Sequence, residues 1–121
     1  MKPRGRGRRR AGPVRVVLVT APSRKAAGLA RALVQRRLAA CASLVPGMRS
    51  VYRWKGRVEE AGETLIVLKT AASRVPALLR AIADLHPYEV PEAIVLLVEG
   101  GLGPYLDWVR AGTARAATRR G

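Results

Sequence analysis

The sequence predicts a small α+β domain with strands and helices in the order β-α-β-β-α-β-α. Three observations carry that expectation. Four β-branched or apolar stretches have strand length, and three others carry a helical stripe or length. Gly and Pro cluster between these stretches, with Gly28, Pro46-Gly47, Gly62 and Pro76 the ones inside them. The first six elements then match the split-βαβ, ferredoxin-like pattern, with an extra C-terminal helix. A chain of 121 residues, 49% apolar, fits one such domain. Phe is absent and aromatics make up 4%, so aliphatic side chains must build the core.

Val14–Thr20 is a β-branched run of strand length. Ala21-Pro22 stops it, and Ser23 is placed to cap a helix reaching Arg37 or Leu38. Within that helix Ala26, Leu29, Ala30, Leu33 and Val34 follow the spacing of one buried face. Arg36 and Arg37 fall in its last turn, where cations suit the negative helix end. Cys41–Val45 and Arg49–Trp54 read as one long strand broken at Pro46-Gly47. Pro lacks an N–H and Gly permits unusual dihedrals, so a bulge is expected there. Lys55-Gly56 makes a two-residue turn, and Arg57–Thr70 returns as the partner strand, with a second irregularity expected at Ala61-Gly62. Arms longer than the usual ~5–6 residues overhang a small domain and offer an edge to another chain.

Ser73 is placed to cap a second helix, with Pro76 inside its first turn. Val75, Leu78, Leu79, Ile82 and Leu85 give its stripe, and His86-Pro87 ends it. Ala93–Val98 is apolar on both faces, as a central strand is expected to be. A Gly-rich loop leads to a short helix over Tyr105–Ala111. The domain therefore spans residues 14–111, between basic tails at 1–13 and 112–121.

The net charge of +15 divides unevenly. Residues 1–12 and 110–121 hold 10 of the 23 cations and none of the 8 acids, leaving 13 cations against 8 acids, or +5, for residues 13–109. The first tail, Arg/Gly/Pro-rich, reads as disordered and solvated. Pro3, Gly5 and Gly7 oppose the amphipathic helix of a mitochondrial presequence. No apolar run approaches the roughly 18 residues of a membrane span, and none resembles a secretory core, so a soluble cytoplasmic protein is expected.

The chemistry-bearing residues are few. RNA-binding sheets of this pattern stack bases on aromatics of the two central strands. Val14–Thr20 and Thr64–Thr70 contain none, which argues against base readout by the sheet. An alternative function follows from the tails alone: a basic, nucleic-acid-associated protein binding phosphates weakly and salt-sensitively. Cys41 and His86 are the only nucleophile–base pair in the chain. Cys41, opening a strand, reads as a small buried hydrophobe, and no catalytic residue is assigned. His86 has two readings. It ends a helix with its imidazole on a carbonyl or carboxylate, or it ligates a metal with Glu89 or Glu92 nearby.

Six segments in order resemble the CutA family of divalent-cation tolerance proteins: residues 19–23, 38–42, Pro46-Gly47 followed by 50–56, 68–70, His86-Pro87-Tyr88-Glu89-Val90-Pro91-Glu92, and 104–109. The resemblance implies a ferredoxin-like subunit in a PII-like homotrimer, with hairpins pairing between subunits and Tyr52, Trp54 and Trp108 at the interface. It implies no enzymatic activity, a role in copper and divalent-metal tolerance, and clefts between subunits. A metal ion such as Cu(II), or a small anion or other ligand, would sit near Lys69, His86, Tyr88 and Glu92. Copper-binding members carry Cys at the position of Val19 and His at that of Leu85, so only His86 of that set stands here.

Overall fold

The computed structural model describes residues 12–115, so most of both expected tails lies outside the described residues. Strand β1 (Val14–Ala21) leads through Pro22 into helix α1 (Ser23–Gln35). Strands β2 (Cys41–Trp54) and β3 (Arg57–Ala71) form the long hairpin. A 3₁₀ turn (Ala72–Arg74) opens helix α2 (Val75–Leu85), and strand β4 (Ala93–Leu97) and helix α3 (Gly103–Gly112) complete the fold. The sheet order is β2-β3-β1-β4, antiparallel throughout, as the ferredoxin-like pattern requires. No helix among the described residues is long and apolar enough to cross a membrane.

Alternation along β1 and β3 divides the sheet into two faces. Val17, Val19, Ile66 and Leu68 are fully buried against Leu33, Leu78 and Ile82 of α1 and α2, and these residues make the core. The opposite face carries Val16, Leu18, Leu65 and Val67, each only half-buried, with Ile94 and Leu96 exposed. Helix α3 lies against β1 and β3 and buries Val109 completely. Thr113, in the expected C-terminal tail, is also buried, its hydroxyl donating to the Val109 carbonyl at 2.9 Å.

Several local expectations need correction. Ser23 and Ser73 cap nothing: the residues before the two helices are Pro22 and Arg74, without a side-chain cap. The Ser23 hydroxyl instead shares a 2.9 Å hydrogen bond with the Thr64 hydroxyl, a tertiary contact that outcompetes the local one. Helix α1 stops at Gln35, so Arg36 caps it and Arg37 takes a left-handed φ of 61° beyond its last turn. Ala61-Gly62 carries no irregularity, because pairing runs unbroken from Met48↔Glu63 to Trp54↔Arg57. Strand β4 sits at the sheet edge, not its centre. Apolarity on both faces reports what covers a strand, not how many neighbours hydrogen-bond to it.

The bulge is present at Pro46-Gly47, where these two residues face Thr64 alone, between the pairs Val45↔Leu65 and Met48↔Glu63. Gly47 adopts φ 79°, which a side chain rarely tolerates. The hairpin then closes through Lys55 and Gly56 at φ 50° and 79°, the paired positive values of a tight two-residue turn. One extra residue reverses which side chains face which way. Cys41, Ser43 and Val45 share a face with Lys69, Val67 and Leu65 before the bulge; Ser50, Tyr52 and Trp54 share that same face after it.

Candidate functional site

A cleft of about 320 Å³ opens where this face meets the segment between α2 and β4. The bulge presents Ser50, Tyr52 and Trp54 along one wall, and β3 and β1 supply Glu63 and Thr20. The opposite wall is Tyr88, Glu89, Val90 and Glu92.

Hydrogen bonds pin that second wall to the sheet. His86 is buried, and its Nδ1 accepts the backbone N–H of Tyr88 at 3.1 Å. The proton therefore lies on Nε2, which donates to the Thr20 carbonyl at 2.7 Å. One imidazole thus ties the end of α2 to β1 and fixes the backbone of Tyr88. The two rings lie 4.8 Å apart. The Tyr88 hydroxyl donates to Glu63 Oε2 at 2.8 Å, and the Thr20 hydroxyl donates to Glu92 Oε1 at 3.2 Å. Burial, reinforced by the Glu63 carboxylate, pushes the Tyr88 phenol up to about 12, so it stays a donor at any physiological pH.

Tyr88 and Glu92 line the cleft, and His86 supports it from behind. Lys69 does not join them. It pairs with Val16, four residues along β1 from Thr20, which places it roughly 13 Å along the strand from the cleft. Its ammonium donates to Ser43 Oγ at 3.0 Å and lies 3.6 Å from Cys41 Sγ. Cys41 is half-buried rather than buried, because it opens β2 on the face that no core helix covers. Tyr52 and Trp54 line the cleft and are otherwise exposed, while Trp108, also exposed, stacks on Tyr105 with ring centroids 5.6 Å apart.

Glu63 is the residue that sequence reasoning missed. It is 6% exposed, yet it occupies the same alternation as Leu65 and Val67. A carboxylate in an apolar register was the signal that marked it.

The residues do not fit a resident transition metal. Both His86 nitrogens are engaged, and no group of three His, Cys, Asp or Glu converges among the described residues. Val19 is fully buried in the core and Leu85 is an exposed aliphatic, so neither offers a ligand atom.

The CutA1 divalent ion tolerance protein family model matches residues 15–112, which takes in every strand and helix just described apart from the first residue of β1. The chain belongs to the CutA1 family. Protein CutA of Homo sapiens is 51% identical over 100 residues, covering 82% of this chain and 56% of the human protein. The divalent-cation tolerance protein CutA of Thermus thermophilus is 48% identical over 99 residues, covering 81% of this chain and 96% of its own. The chain thus spans little more than half of the mammalian CutA relatives but nearly all of the bacterial one. The Thermus CutA structure superposes with a TM-score of 0.81 at 45% identity, covering 84% of this chain and 99% of that one. A PII-like CutA from Nostoc superposes at 0.80 with 33% identity, covering 84% and 99% respectively.

Proposed function

We propose that this CutA1-family chain is a non-catalytic, trimeric ligand-binding protein whose ligand occupies the cleft between the hairpin and the His86–Glu92 segment. The observation that carries this reading is the way the cleft is built. A bulge turns three side chains into it, and a buried imidazole with both nitrogens engaged holds the facing wall. Such preformed concavity with few oriented polar groups is the usual form of a small-molecule site. The nucleophile–base pair is split among the described residues: Cys41 does not line the cleft, and His86 is committed to the backbone. The PII-like description of the Nostoc relative and the half-buried apolar sheet face support assembly around that face. In a trimer a neighbouring copy would then close the cleft.

The test is a thermal-shift panel of small molecules on the purified protein and on Ser50→Trp, which fills the cleft. A ligand that binds there raises the melting temperature of the wild type. That shift is abolished in the variant. A shift equally large in Ser50→Trp would move the ligand site elsewhere.

A further inference from the structure

We infer that the ligand of this cleft is a small organic cation, an ammonium or guanidinium on an apolar body; the inference rests on the cleft being the binding site. In a chain of net charge +15, three of the eight acids, Glu63, Glu89 and Glu92, line this one cavity, and no Lys or Arg does. Arg24 and Arg49 line a second cleft that adjoins it through Glu63, and Arg49 is already paired with Glu60. Lys55 lies over the Trp54 ring at the hairpin turn, 5.8 Å from its centroid, and does not line the cavity.

The acids alone would be a solvated cluster. Glu63 makes them a site. It is 94% buried by its exposure of 6%, its Oε2 takes the Tyr88 hydroxyl, and its Oε1 accepts no hydrogen bond from the described residues. It forms no ion pair among those residues either. A buried carboxylate with an open acceptor and no ion pair is costly unless a donor cation reaches it, and Arg24, in the adjoining cleft, makes no ion pair with it. The rings of Tyr52, Trp54 and Tyr88 line the same space, and aromatic faces attract cations as well as apolar bodies.

The geometry also separates an organic cation from a metal ion. A metal ion needs several ligand atoms converging on one point, and no such group of three exists among the described residues. Acids distributed around a cleft of about 320 Å³ suit a ligand with spatially separated N–H donors. The aromatic rings then take its apolar part.

The experiment is calorimetric titration of the full chain with three probes of similar size: benzylammonium, benzyl alcohol and benzoate. Benzylammonium binds, benzyl alcohol binds about tenfold more weakly, and benzoate does not bind, as loss of one charge-assisted hydrogen bond predicts. Glu92→Gln and Glu63→Gln each lower benzylammonium affinity about tenfold. Gln keeps an acceptor for the Tyr88 hydroxyl, and circular dichroism verifies that both variants fold. Benzoate binding as tightly as benzylammonium overturns the cation class while the cleft stands as a ligand site. Unchanged benzylammonium affinity in both Gln variants overturns it too, as does its displacement by stoichiometric Zn²⁺ or Cu²⁺. No response to any probe overturns the cation inference alone, since the wider thermal-shift panel tests the cleft separately.

Discussion

At Tyr88 the phenol has moved from 10.0 to about 12, first through burial and then through the Glu63 carboxylate that accepts its proton. The folded chain therefore holds this proton more tightly than the unfolded chain does. The resulting stabilisation is fully present below pH 10 and is lost as pH rises through about 12. Urea midpoints measured across this window should fall more steeply for the wild type than for Tyr88→Phe, in which the group is absent. Identical slopes would mean that folding leaves the Tyr88 phenol unperturbed. His86 shows how little of such detail a sequence yields. Its role as a helix terminator bonded to a carbonyl was legible, and its backbone N–H does donate to the Ile82 carbonyl at the end of α2. That its second ring nitrogen fixes Tyr88 was not, because the contact depends on how the chain folds back after Pro87.

Between elements, the bulge in β2 decides the chemistry of the cleft. Pro46 and Gly47 oppose Thr64, so Ser50, Tyr52 and Trp54 take the face of Glu63 instead of the reverse face. Deleting Pro46 should leave Gly47 alone opposite Thr64 and remove the bulge, while the pairs from Met48↔Glu63 to Trp54↔Arg57 keep Tyr52 and Trp54 on the face of Glu63. The expected outcome is a retained ligand-induced thermal shift with near-native circular dichroism. A deletion variant that lost the ligand response would show that the bulge positions the aromatics beyond setting the face they take. The bulge itself was legible, since adjacent Pro and Gly in a strand interior break the regular ladder. Its consequence for facing was not, because alternation resumes with a phase that only pairing to β3 fixes. The caps failed for a related reason. Ser23 satisfies a local rule, but its hydroxyl finds Thr64 from the neighbouring strand.

For the whole molecule, the single chain leaves one sheet face without a full covering. Val16, Leu18, Leu65 and Val67 are half-buried and Ile94 and Leu96 of the edge strand β4 are exposed on that face, while Leu97, Val51 and Val58 are exposed on the other. An apolar face beside an apolar edge strand is a surface for association. Light scattering at micromolar concentration should return three times the chain mass. A monomer there would remove the assembly from the proposal and leave the cleft open on one side.

What the sequence determined by itself was the order of elements, the helix stripes of Leu29, Leu33, Leu78 and Ile82, the hairpin turn at Lys55-Gly56 and the family. Each rests on neighbours in the chain, on periodicity or on residue types with a narrow conformational range. Tertiary structure alone decided that β4 lies at the edge, that Lys69 stands apart from Tyr88 and Glu92, and that Glu63 is buried beneath the cleft. These are matters of register between segments far apart in sequence. A side chain's partner across a sheet depends on pairing, which local propensity does not encode.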